Sequence, residues 1–277
     1  MGPLLVEPFA GLGNRMRVVS SAVVLASTVQ RPLEIYWIPR SDLNASFDDL
    51  FERTKTFSVF EKLGRLRWTR RTHQTAGIRR LAAAIANRVA GVSCCIGEND
   101  FPHIWRGEID LLALAERERR LYIKTCEELG PTDRGFAVFK PIRPLQRRID
   151  ALTSRFTPQT IGVHVRGTDH PIARIESPLE AFISAMDAEL ERNPLTSFFL
   201  CTDEPAIERD FEARYPGHIF THSPKDLART TPAAIADAVI DLFSLSRTQK
   251  ILGSHRSSFS DVAAKMGGIP LEVVRRP

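Results

Sequence analysis

The sequence predicts an α/β protein built from two Rossmann-like domains, and three observations carry that expectation. Short apolar runs rich in β-formers alternate with helical patterns through the second half. The first half opens with the same unit, a strand followed by the glycine loop AGLGN and a helix. At 277 residues the chain exceeds the usual size of one domain, and the proline-rich basic segment FKPIRPLQRR, Phe139 to Arg148, interrupts the pattern near its middle. The expected division is 1–140 and 141–277.

In the first half the pattern gives a strand from Pro3 to Phe9, a helix from Arg15 to Gln30 and a strand from Leu33 to Ile38, then blurs. In the second half, strands are expected at Thr160 to Val165, Ser197 to Cys201, His218 to Thr221, Lys250 to Gly253 and Leu271 to Val274. Between them, SPLEAFISAMDAELERN sets Leu179, Phe182, Ile183, Met186 and Leu190 on one helical face. Ser177 and Glu180 read as a capping box around Pro178 at the first helical position. Ala233 to Ser246 repeats the helical spacing with Ile235, Val239, Leu242 and Phe243. Strands joined by helices of this length imply right-handed crossovers and a parallel sheet, which binds ligands at the carboxyl ends of its strands.

Composition excludes several classes. A chain that is 43% hydrophobic and 26% charged can bury a core and is not disordered. No stretch of about 18 uninterrupted apolar residues occurs, and the opening MGPLLVEPFAGLGN lacks a basic leader, so a cytoplasmic protein is expected. Cys94, Cys95, Cys126 and Cys201 include no CxxC pair and read as reduced packing residues rather than a zinc or redox site. The net charge of +5 is uneven. Between Arg53 and Arg88 ten basic residues face the single acid Glu61, a net of +9, so the remainder carries −4. Such a run is either a solvated face or a docking surface for something anionic, such as a membrane surface or an acidic acceptor. Nucleic acid is not expected, because Phe57, Phe60 and Trp68 show no alternation of a stacking platform.

Four clusters stand at the carboxyl ends of the expected strands. In IGVHVRGTDH, alternation puts Ile161, Val163 and Val165 on one face and Gly162, His164 and Arg166 on the other, with Asp169 following. An arginine fork suits a diphosphate, although a local Arg166–Asp169 ion pair is the plainer reading. In GSHRSSFSDVAAKMGG, Ser257 and Ser258 open a helix whose free amides can take an anion, or simply cap it. In FFLCTDEP, Asp203 and Glu204 precede Pro205, where they cap a helix or accept hydrogen bonds from a ribose or a guanine edge. In GLGNR, Gly11 and Gly13 permit a tight turn and close approach of a ligand, and Asn14 is a candidate cap. This is not the GxGxxG fingerprint.

GLGNRMR, HVRGTD, FFLCTDEP and SLSRTQKILGSHRSSFS occur in the order and approximate spacing of the fucosyltransferase superfamily, which includes α1,6-fucosyltransferases, the rhizobial nodulation fucosyltransferase and protein O-fucosyltransferases. The sequence resembles that family over roughly Leu4 to Gly268. The resemblance implies a GT-B fold of two facing Rossmann-like domains with a cleft between them, the acceptor side N-terminal and the nucleotide-sugar side C-terminal. It further implies GDP-fucose as donor, a glycan acceptor, no cofactor or metal, and an inverting transfer. By the resemblance, Arg166 grips the donor's β-phosphate. His164 with Asp203 or Glu204 contacts guanosine, Ser257 and Ser258 flank the phosphates, Asn14 closes over the donor, and Arg229 and Asp237 match a further arginine and acid. Arg166 is followed by Gly167 where many α1,6 members have a second arginine. One of two phosphate contacts is then either missing or supplied by Arg229 or Arg174, and the α1,6 linkage loses its support. Asp169 and Glu176 are the candidates for general base. Trp37, Arg40 and Asp42 are candidates for the acceptor side. The competing expectations are a transferase using another nucleotide sugar, an inactive nucleotide-sugar binder, and a basic interaction protein.

Overall fold

The computed structural model describes residues 1–69, 77–132, 134–167, 175–222 and 231–276, and the chain divides into two units, Met1–Lys140 and Pro141–Pro277. Strands β1 to β5 in the first are Leu4–Pro8, Leu33–Tyr36, Ser58–Phe60, Cys94–Gly97 and Leu121–Thr125. They form one parallel sheet in the order β3-β2-β1-β5-β4. Helices α1 to α4 are Leu12–Thr28, Gly77–Ala90, Phe101–Trp105 and Leu111–Arg117. Helix α1 starts three residues earlier than the sequence pattern indicates, so Gly13 and Asn14 lie inside its first turn and Asn14 does not cap it; Gly11 is the N-cap residue.

The 37–57 segment beyond β2 is held by aromatic packing. Trp37, Phe47, Phe51, Phe57 and Phe139 meet edge-on or tilted at 4.9 to 6.4 Å between ring centroids, the geometry the ring quadrupole favours. Trp37 is fully buried and donates from Nε1 to the carbonyl of Ala45, which makes it a core residue and removes it from the acceptor candidates.

In the second unit β6 to β10 are Thr160–Val165, Ser197–Thr202, Ile219–Thr221, Ile251–Ser254 and Leu271–Val274, again all parallel, in the order β10-β9-β6-β7-β8. Helices α5 to α9 are Arg143–Thr153, Leu179–Arg192, Pro205–Arg214, Pro232–Leu245 and Ser258–Gly267. Counting from β6, the order is that of a Rossmann half, with the reversal between β6 and β9. Ile161, Val163 and Val165 face Phe182, Met186, Ile207 and Phe211 of α6 and α7 in one buried cluster, as alternation requires.

On the opposite face α8 approaches β6 at Gly162. A Cβ there would meet Leu245 Cδ2 and Thr248 Oγ1, both at 2.8 Å. Gly162→Ala is accordingly expected to destabilise this unit by about 1–3 kcal/mol through overpacking, measured by urea unfolding. An unchanged midpoint would mean that α8 yields freely.

The expected capping box does not form. Pro178 is the N-cap of α6 with extended backbone, and no side chain caps the helix. Ser177 is buried and used elsewhere, donating to Val274 O and accepting from His255 N at 2.9 Å. A tertiary tie between the β9 loop and β10 thus displaces the local motif.

Candidate functional site

The candidate site of the second unit is the carboxyl end of the sheet where β6 and β9 separate. Ser254, the last residue of β9, spans the split. Its hydroxyl accepts from Arg166 N at 3.0 Å and donates to His164 O at 3.2 Å. The chain then turns through Arg256 at φ 54, a left-handed conformation costly for a side-chain-bearing residue, and enters α9 at Ser257. Ser257 is the N-cap of α9 but makes no side-chain capping bond. Its hydroxyl instead stands 3.3 Å from His164 Nδ1, and the His164 ring stacks on Phe259 at 4.9 Å. The opening turn of α9 therefore keeps its amides and the positive end of its dipole without a side-chain cap, beside the residue following β6. That is the arrangement helix ends use to bind anions.

The other flank is set by β7. Asp203 Oδ1 accepts from Gly167 N at 2.7 Å, which fixes the turn just after Arg166 and makes Asp203 a brace for it rather than a cap of α7. Glu204 is the N-cap residue of α7, again without a side-chain cap. Glu204 also accounts for the glycine at 167. A Cβ on Gly167 would lie 2.5 Å from Glu204 Oε2 and 2.9 Å from Glu204 Cβ. A second arginine at this position has no room while Glu204 stands there.

Beyond β7, four ionisable groups form a network that sequence reasoning largely missed. Arg148 of α5 donates to Asp237 Oδ1 at 2.7 Å and to His222 Nε2 at 2.9 Å. Arginine has only donors, so His222 accepts at Nε2 and carries its proton on Nδ1, which donates to Asp241 Oδ1 at 3.1 Å. His222, Asp237 and Asp241 are buried, and together with Arg148 they tie α5, α8 and the end of β8. Asp237, matched by the family resemblance, has a structural engagement here. Arg148, His222 and Asp241 lie on three separate elements, and no spacing in the sequence links them.

Glu176 is exposed and lies beside the edge strand, where its carbonyl accepts from Arg276 N at 2.9 Å. Asp169, Arg174 and Arg229 lie outside the described residues.

In the first unit, the corresponding reversal of strand order lies between β1 and β5, and GLGNR follows β1. Its glycines do not make the tight turn. Gly11 has ordinary extended backbone at φ −69, and the left-handed residue is Ala10 at φ 66. Arg15 stabilises that turn from α1. Fully buried, it donates to Ala10 O at 2.9 Å, Ile38 O at 2.8 Å and Asp42 Oδ1 at 3.4 Å, with Trp37 beneath its guanidinium. Burial lowers its pKa to about 10, partly offset by Asp42. Nothing lies within 4 Å of where a Gly11 Cβ would be, so the backbone here is open to close approach. Glu7, on β1 and buried, holds Arg40, Lys124 and the Tyr122 hydroxyl. Arg40 and Asp42 are thus both engaged within the unit.

Among the described residues, Glu98, Cys126 and Glu127 approach metal-ligand spacing. Their bonds are already made. Glu98 accepts from Thr125 Oγ1, Cys126 N and the Cys126 thiol, and Glu127 pairs with Arg17. Burial and then Glu98 push that thiol up to about 12, away from the thiolate that a metal requires. The other three cysteines are buried and form no disulfide.

No protein-family model and no curated protein matches the chain. Solved structures do. The NodZ α1,6-fucosyltransferase soaked with GDP-fucose is 19% identical with a TM-score of 0.64, covering 96% of this chain and 93% of its own. NodZ from Bradyrhizobium is also 19% identical, with a TM-score of 0.63 over 95% of this chain and 92% of that one. Arabidopsis thaliana FUT1, as a mutant in complex with GDP, is 15% identical with a TM-score of 0.68, covering 100% of this chain and 71% of that one. POFUT1 in complex with GDP is 13% identical, with a TM-score of 0.55 over 99% and 98%. Each similarity spans both units. The fold is therefore α/β, of the GT-B type these enzymes share.

Proposed function

We propose that the chain is a glycosyltransferase that moves fucose from GDP-fucose to a glycan acceptor without a metal, with inversion. The observation that carries this reading is the anion site at the β6/β9 split, where Arg166 follows β6 and the α9 N-terminus has no side-chain cap. Fold neighbours crystallised with GDP or GDP-fucose support the choice of nucleotide.

The chemistry follows from charge. As the glycosidic C–O bond breaks, negative charge grows on the departing diphosphate while the acceptor hydroxyl loses its proton. Arg166 and the first amides of α9 meet the first change. Ser257 and Ser258 stand beside the phosphates, and His164 holds Ser257 in place. Asp203 accepts from Gly167 N and, with Glu204, is proposed to contact the nucleoside. Asp237 supports the nucleotide region through Arg148, and Arg229 supplies the further cation. For the proton, Asp169, three residues after Arg166, and Glu176 are the two carboxylates proposed for the general base. Gly11, Gly13 and Asn14 are proposed as further donor contacts. The reaction is assigned to the cytoplasm.

Calorimetry should show GDP binding without added metal, and GDP should be released when GDP-fucose meets a panel of sugar acceptors. A chelator should leave that release unchanged. Strict dependence on a divalent ion would overturn the clamp, and UDP binding in preference to GDP would select another nucleotide sugar.

A further inference from the structure

Helix α2 is packed the wrong way round for a core helix. Surface helices normally turn their apolar stripe inward. Here the residues facing inward are Ala83, Asn87 and Ala90, whereas Leu81, Ile85 and Val89, at i, i+4 and i+8, are 64, 57 and 58% exposed. Ala90 shares a buried cluster with Leu66 of the short 3-10 turn Gly64–Trp68, which packs against α2. That turn exposes Arg65, Arg67 and Trp68, the arginine lying over the indole at 5.0 Å. Lys62 before it and Arg88 on α2 are also exposed.

From this surface we infer that α2 and the adjoining 3-10 turn dock the protein in the plane of an anionic lipid bilayer. An apolar stripe flanked by cations and an amphipathic indole is what an interfacial helix presents: the stripe enters the acyl boundary and the cations meet headgroup phosphates. Charge decides against a second copy of the chain. A two-fold contact would set this patch opposite itself and bring Lys62, Arg65, Arg67 and Arg88 against their own like charges. It also decides against nucleic acid, which would leave Leu81, Ile85 and Val89 uncovered. No described helix is long and apolar enough to cross a membrane, so the contact is one that lies on the bilayer.

Co-sedimentation tests this with vesicles of phosphatidylcholine alone and of an equal mixture with phosphatidylglycerol. The full chain should partition to the anionic vesicles at least about tenfold better, and raised salt should remove the difference. Leu81→Asp combined with Ile85→Asp should weaken partition by about tenfold or more. Lys62→Glu with Arg65→Glu and Arg67→Glu should weaken it by about a hundredfold. Because these side chains are exposed, both variants should keep wild-type circular dichroism and GDP affinity, which separates this inference from the donor-site reading. Equal partition to both vesicle types, no partition, or unaltered partition of both variants would overturn it. A dimer in size-exclusion chromatography that the Asp substitutions dissociate would assign the stripe to a second copy instead.

Discussion

Arg166→Ala is expected to lower the rate of GDP release from GDP-fucose by about 10²- to 10³-fold, the usual effect of removing one preorganised donor from a developing oxyanion. Alanine keeps the backbone bond from this position to Ser254 Oγ, and circular dichroism of the variant separates loss of chemistry from loss of fold. GDP affinity should fall as well, since product and transition state share the diphosphate charge. Arg166→Lys should recover only part of the rate, because an ammonium is a point charge without the paired donors of the fork. Single-turnover rates with GDP-fucose and calorimetry with GDP check both statements. Wild-type values in both would remove Arg166 from the mechanism.

Arg15→Ala should be the most destabilising of these substitutions, by about 2–5 kcal/mol in urea unfolding, from the cavity it leaves and the buried carbonyls it unpairs. The guanidinium is out of water yet bonded to Ala10 O, Ile38 O and Asp42, so its loss leaves three acceptors without their donor and a void beside Trp37. Arg15→Lys should recover little, since one ammonium cannot reach three separated acceptors. The damage concerns the Ala10 turn and hence the GLGNR loop. A loss below about 1 kcal/mol would show that the neighbouring groups re-pair with water.

Much of the second unit was legible because its signals are local. Strands Thr160–Val165 and Leu271–Val274 have the expected bounds, and the other three differ by a residue at one end or both. The first unit was harder. Its strands Ser58–Phe60, Cys94–Gly97 and Leu121–Thr125 were not read, since runs of three to five residues give little periodicity, and the first of them also lies within the basic window. Local signals also misled where tertiary bonds compete. The capping box at Ser177 lost to Val274 and His255, and Asn14 lost its capping role because α1 begins before it.

By itself, the sequence determined the α/β class, the clustering of His164, Arg166, Asp203 and Ser257 at strand ends, and the excess of positive charge between Arg53 and Arg88. These follow from periodicity and composition, which one stretch of chain carries whole. Tertiary structure alone decided that Ala10 rather than a glycine makes the left-handed turn, that Glu204 excludes a side chain at Gly167, and that α2 turns its apolar stripe outward. Each of those depends on which distant atoms occupy the neighbouring space, and close packing assigns that space only when the whole unit has folded.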